Sequence, residues 1–245
     1  MACKDLDDGA VIRQNLITAE NPASSSECIA VTAERAYYRC DRFFIKRSLR
    51  PSEFQTGYKG LHIPRLGKER LRNEADSLRF IRHSTNIPVP TVYGAFEVDN
   101  AFFLITDYVD GTAMSRLSED NKKIVMEELD QHRATLQHMK SRNIGGPSGI
   151  LIPPYRIMRH TTNDIWPTRS SETPEYVFCH NDLSQQNIIV DPHSLKINAI
   201  IDWEYAGFFP KYFEFPFYQR LGPSIAIDGE QDDVPKLLQF LAEGL

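Results

Sequence analysis

Two β-branched runs, Ile188–Val190 and Ile197–Ile201, flank the tetrapeptide Asp191-Pro192-His193-Ser194. Proline fixes φ, and Asp and Ser side chains bond nearby backbone, so the tetrapeptide is a turn and the runs pair as a β-hairpin. Folding about that turn sets Asn187 opposite Asp202 at the open end. Asp182 lies just upstream, in a polar loop entered from a short apolar strand around Tyr176–Cys179. Two carboxylates and one amide oxygen therefore converge on a small volume. Hard oxygen ligands in that number, with room for water and phosphate, suit Mg2+ rather than zinc. The plainer reading is a buried hairpin preceded by an Asp/Asn-rich turn.

The spacing His180-x-Asp182-x-x-x-x-Asn187, followed at hairpin distance by Ile201-Asp202-Trp203-Glu204, resembles the catalytic core of the kinase-like phosphotransferases. The I-D-W-E form is that of the aminoglycoside phosphotransferase and choline kinase branch, and the following Y-A-G-F-F-P-K-Y-F-E is similar to its fungal members. The resemblance implies an α+β, protein-kinase-like fold of two lobes. Residues 1–107 would form an N-lobe with a small antiparallel sheet and a helix, and residues 108–245 a mainly helical C-lobe. It also implies ATP and Mg2+ as cofactors and a hydroxyl of a small molecule as acceptor. Asp182 would orient that hydroxyl and accept its proton, while Asn187 and Asp202 would hold the metal across the phosphates.

The same resemblance assigns further positions. Lys46, closing F-F-I-K, looks like the small-lobe lysine that pairs with the nucleotide phosphates; a lysine there is otherwise a solvated strand end. Glu74, in R-N-E-A-D-S-L, looks like the helix glutamate that orients the lysine. Its rivals are Glu69 and Asp76, and the alternative is a solvated helix face with Arg70 as partner. Asp107 to Val109 resembles the link whose backbone reads the adenine edge. His180 is expected to support the loop rather than act as the base. Asn181 replaces the glycine common in H-G-D, a mild departure because Asn tolerates left-handed backbone. Two absences weigh against tight nucleotide binding: residues 27–46 contain no glycine, and no G-x-x-x-x-G-K-[ST] loop exists. A kinase-like module that has lost transfer, or the same fold repurposed in a biosynthetic pathway, stays open.

Elsewhere the patterns are local. Val11–Ala19 is a possible short helix and Asn21–Ser26 a loop. Cys28–Thr32, Tyr37–Cys40 and Phe43–Ile45 read as strands, with Asp41-Arg42 as a tight turn, and residues 48–66 as a loop. Lys68–His83 carries Leu71, Ala75, Leu78 and either Phe80 or Ile81 at helical spacing. Val92–Val98 and Ala101–Thr106 form a hairpin across Asp99-Asn100. A second helix starts at Ser118 as N-cap, presents Ile124, Val125, Leu129, His132, Leu136 and Met139 as a stripe, and stops at Gly145-Gly146-Pro147. Residues 147–175 are proline-rich, with Tyr155, Trp166 and Arg169 as candidates for either substrate contact or packing. Pro235–Leu241 is a closing helix.

A net charge of -5 gives no broad pull toward nucleic acid, and no apolar run approaches the ~20 residues of a membrane span. The acidic opening, Met1 to Asp8, does not read as a signal peptide. Cys3, Cys28, Cys40 and Cys179 form no C-x-x-C pair, which points to free thiols in a reducing, cytoplasmic setting; a monomer or weak homodimer is expected.

Overall fold

The computed structural model describes residues 27–58 and 60–243; the Val11–Ala19 helix, the Asn21–Ser26 loop and Cys3 lie outside them. The chain divides into two compact units, Met1–Leu71 with Thr91–Tyr108, and Arg72–Pro90 with Val109–Leu245.

In the first unit, β1 (Glu27–Val31), β2 (Arg35–Cys40) and β3 (Phe43–Ser48) are followed by a two-stranded β4 (Thr56–Gly57) and β5 (Gly60–Leu61). Next come the start of α1 (Gly67–Ser84), then β6 (Val92–Val98) and β7 (Ala101–Asp107). The main sheet is antiparallel, in the order β1-β2-β3-β7-β6. Its tight turns use residues that accept positive φ: Asp41 at 52°, Asp99 at 49° and Asn100 at 59°. The β1–β2 turn closes differently. Thr32 Oγ1 accepts the Glu34 and Arg35 amides (3.2 and 3.1 Å), so those two donors are spent inside the turn.

Strand β3 runs three residues past the expected Ile45 end. Lys46 is therefore an interior strand residue, opposite Tyr37 and Leu104 and only 7% exposed, and the solvated-strand-end reading fails. The next residue extends the strand for a reason invisible in hydropathy. Arg47 forks onto Glu53 (2.6 and 2.8 Å), and that bond holds the Glu53 carboxyl down to about 2. On α1 the apolar face is Leu71, Ala75, Leu78 and Ile81, all buried; Ile81 rather than Phe80 completes it.

The second unit contains β8 (Thr112–Ala113), α2 (Glu119–His138), β9 (Lys140–Ser141), α3 (Tyr155–Met158), β10 (Tyr176–Cys179), β11 (Ile188–Val190), β12 (Ile197–Ile200), β13 (Gly207–Phe209) and α4 (Val234–Ala242). They form two small antiparallel sheets, ordered β13-β10-β9 and β12-β11-β8. Ser118 caps α2 by accepting the Asn121 amide. The helix ends at His138, ahead of the glycines, because Met139 turns extended and Lys140–Ser141 joins β10. Ile124 does not belong to the buried stripe: it is 53% exposed. Lys122, Val125, Leu129 and Leu136 share the inner face, and Ile124 lies a further 100° round from Val125. The Lys122 stem is buried while its ammonium reaches Glu119 at 2.7 Å.

Ile157, Trp166, Val177, Cys179, Phe209, Phe213, Leu237 and Leu241 form the core of this unit. Backbone passes close there. A Cβ on Gly207 would meet the Gly145 carbonyl at 2.8 Å, where Phe208 and Gly145 exchange two backbone hydrogen bonds. Asn73, fully buried on α1, donates to the Glu204 and Ala206 carbonyls (3.1 and 2.8 Å) and accepts from Ser148 (2.7 Å). Among the described residues no helix is long and apolar enough to cross a membrane.

Candidate active site

The hairpin forms about the expected turn, with Ile188 opposite Ile200, Val190 opposite Ile197 and an irregularity after Ile189, so Asn187 faces Ile201 and not Asp202, one residue from the expected register. Its turn is closed by Asp191 Oδ1, which accepts the His193 and Ser194 amides (2.8 and 2.9 Å); those bonds hold the Asp191 carboxyl low. At the open end the Ile201 amide donates to the Asn187 carbonyl at 2.9 Å. Asp202 follows immediately and turns left-handed (φ 63°, ψ 52°). Trp203 is fully buried, donating from Nε1 to the Ile200 carbonyl at 2.8 Å.

The loop from His180 to Asn187 is held peptide by peptide. The His180 and Asn181 amides both donate to Glu214 Oε2. Asn181 is left-handed at φ 68°, as its place in a usual glycine position requires, and its side chain donates to the Tyr205 carbonyl at 2.8 Å. The Asp182 amide donates to His180 Nδ1 (3.2 Å). His180 Nε2 lies 2.9 Å from the Ile201 carbonyl. An imidazole that accepts at Nδ1 carries its proton on Nε2, so His180 is a neutral bridge from the loop to the strand before Asp202. It is the loop support expected, and its ring sits 4.5 Å from that of Trp203. Asn187 Nδ2 donates to the Asp182 carbonyl (2.6 Å) and carboxylate (3.0 Å).

The second unit thus brings Asp182 and Asn187 into direct contact and links their loop to Ile201, the residue before Asp202. Asp182 and Asp202 are partly exposed where Asn181, Leu183, Ser184 and Trp203 beside them are buried. No group of three or more His, Cys, Asp or Glu side chains able to hold a metal is found among the described residues. The relevant set here is two carboxylates and an amide. With its nitrogen committed to Asp182, Asn187 has its oxygen left for a cation, and the donor set fits a hard ion. Glu74 and Val109 belong to this unit as well, whereas Lys46 and Asp107 belong to the first. Glu74 is 2% exposed, so it is not a solvated face residue; Arg70 bonds Glu34 at 2.7 Å. Of its rivals, Glu69 is exposed and Asp76 pairs with Arg79. The Asp107 carboxylate accepts from the Thr91 amide and the Tyr93 hydroxyl, while the Asp107 and Tyr108 amides bond the Thr91 and Arg42 carbonyls.

Residues 102–219 match the choline/ethanolamine kinase family model. Over that stretch, just under half of the chain, it is similar to the choline/ethanolamine kinases. Streptomycin 3''-kinase of Streptomyces griseus is 33% identical over 52 residues, which are 21% of this chain; the match spans about a fifth (19%) of that curated relative. Two solved structures share the fold. The aminoglycoside phosphotransferase APH(3'')-Id from Streptomyces rimosus has 18% identity, with 83% of this chain and 79% of that one covered at a TM-score of 0.53. APH(4)-Ia, solved with ADP and hygromycin B, has 14% identity, with 85% and 74% covered at 0.51. The fold is accordingly α+β and protein-kinase-like.

The proline-rich segment resolves into packing and surface residues. Trp166 lies in the core, and Arg169 stacks on Phe240 (4.0 Å) while donating to its carbonyl, so both serve packing; Tyr155 remains 44% exposed. His132 and His138 are tied to Glu128 and the Ala134 carbonyl on α2. Cys179 packs in the core, and burial pushes its thiol well up.

Glu214 is the main omission. No local signal marks it, because its partners lie 33 and 34 positions back. Burial pushes its carboxyl up from 4.5 to about 7, against the lowering effect of the two loop amides and of Arg156 and Arg133. Its Oε1 is buried without a hydrogen-bond partner among the described residues. The folded protein therefore binds more protons than the unfolded chain between those two values. Glu214's contribution to stability is fully present below the unfolded pKa and is lost as pH rises to about 7. Calorimetry from about pH 5 to 8 will show the wild-type melting temperature falling relative to that of Glu214→Gln. Parallel curves for the two proteins would clear Glu214 of this role.

Proposed function

We propose that the protein is an ATP- and Mg2+-dependent phosphotransferase that moves the γ-phosphate to a hydroxyl of a small molecule. The contact of Asn187 with both the carbonyl and the carboxylate of Asp182 carries this reading. It fixes a carboxylate beside an amide oxygen at the mouth of a hairpin whose other strand leads into Asp202. Phosphoryl transfer asks the protein mainly for positioning and charge neutralisation. Asp182 accepts the hydroxyl proton, and its partial exposure lets an acceptor reach it. Asn187 and Asp202 would hold the metal, which neutralises charge on the transferred group when bound. Lys46, buried within β3, would take the phosphates, oriented by Glu74. With the Asp107 and Tyr108 amides engaged, the Val109 amide is the donor left to meet the adenine edge. The aminoglycoside kinases that share the fold make hydroxylated small molecules the substrate class to test; the working form expected is a cytoplasmic monomer or weak homodimer.

One observation favours a second reading, a kinase-like binding module without transfer. The β1–β2 turn has no glycine, and Thr32 occupies two of its amides, so it is not organised to wrap phosphates. Mg·ATP at about 100 times its Kd adds roughly 2.7 kcal/mol, a rise of roughly 5–10 °C for a chain this size. We expect that rise, and ATP consumption with at least one member of a hydroxylated metabolite library. In Asp202→Asn the rise should need markedly more Mg2+. No rise at saturating nucleotide would favour the module, and an unchanged metal titration would remove Asp202 from the ligand set.

A further inference from the structure

The proline-rich segment supplies a residue that the reaction reading leaves unused. Arg156 is 1% exposed, and each of its guanidinium nitrogens is committed. Nε and Nη2 fork onto the Asp233 carboxylate (3.0–3.1 Å), Nη2 also donates to the Phe213 carbonyl (2.7 Å), and Nη1 donates to the Asn181 carbonyl (3.2 Å). The face of the Phe217 ring lies 5.3 Å away. Asp233 immediately precedes α4, where an aspartate ordinarily turns back to cap its own helix. It makes no such cap and faces Arg156 instead.

The Asn181 carbonyl is the decisive acceptor. It belongs to the peptide group joining Asn181 to Asp182, and the N–H of that same group donates to His180 Nδ1. The plane is thus pinned at both edges. Fixing it fixes the direction in which the Asp182 side chain leaves the backbone, starting from a left-handed residue that has few conformational neighbours. Transfer chemistry is sensitive at this scale, since a misplacement of about 1 Å costs about 10²-fold. A planar five-donor group is needed to reach three acceptors in different directions, which a lysine cannot do.

We propose that Arg156, locked by Asp233, is a positioning residue for phosphoryl transfer: it holds the Asn181–Asp182 peptide plane and so ties turnover to the seating of α4. This rests on the phosphotransferase reading. The test compares wild type with Arg156→Lys and Asp233→Asn, the second in case the first fails to fold, and Asp233→Glu as the conservative rescue. The expected result is a fall in kcat of about 10²-fold with the KM for ATP nearly unchanged, largely restored in Asp233→Glu. Amide hydrogen exchange should rise about tenfold or more across residues 180–183 while β10 stays protected. Unchanged exchange at 180–183, or a uniform rise across the unit with kcat and KM moving together, would overturn the proposal. A wild type that transfers no phosphate sinks the function reading alone, and the exchange measurement then decides whether Arg156 holds the loop.

Discussion

Replacing Asp182 with alanine removes turnover and leaves the fold intact. In the proposed reaction its carboxylate takes the proton of the acceptor hydroxyl, and general-base assistance is worth about 10²–10⁴-fold. The loop does not depend on that carboxylate for its shape. Its main-chain N–H still donates to His180, its carbonyl still accepts from Asn187 Nδ2 at 2.6 Å, and the preceding amides still reach Glu214. The loop gives up the 3.0 Å bond from Asn187 to Oδ2, made at a partly exposed residue. Steady-state kinetics beside a melting curve will separate the two effects. The expected pair is no measurable transfer and a nearly unchanged melting temperature; a large fall in melting temperature would make Asp182 a structural residue.

Trp203→Ala has the largest expected effect on stability, a loss of about 3–5 kcal/mol, the range for truncating a buried aromatic. Trp203 is fully buried, packs 4.5 Å from the His180 ring and 6.3 Å from Phe178, and satisfies the Ile200 carbonyl. Deleting it opens a cavity, orphans an acceptor and loosens the imidazole that joins the loop to the second strand. Denaturant unfolding measures the loss directly, with Trp203→Phe expected to recover part of it. A loss under about 1 kcal/mol, the size of a surface substitution or a small cavity, would mean the neighbours collapse into the space.

Both predictions concern the part of the molecule that was most readable in the sequence, and the reason is locality. The hairpin, the Asp191 turn, the left-handed Asn181 and the supporting His180 are set by residues within a few positions of one another. Turn chemistry and strand alternation act at that range. Lys46 is a partial case: hydropathy ended its strand at Ile45, but a charged Arg47 remains in register because Glu53, six residues on, neutralises it. Ile124 shows the limit of periodicity, which defines an apolar arc without saying which edge of it faces inward. Arg156 and Glu214 were illegible for a stronger reason. Their acceptors and donors lie 25 to 77 positions away, and an isolated arginine or glutamate looks the same whether solvated or sealed under a loop. Only the folded chain distinguishes these cases.

Asn73 has a mechanical implication. By gripping the Glu204 and Ala206 carbonyls, and with its Oδ1 where a side chain on Gly146 would have to be, it locks that turn of α1 to the backbone directly downstream of Asp202. Helix sliding is a common way for proteins to toggle between active and idle forms. Here a slide would sever both bonds and strand two buried carbonyls, so the Asn73 turn and the Glu204–Ala206 backbone travel as a single rigid piece, and any control of the proposed reaction must act on something else.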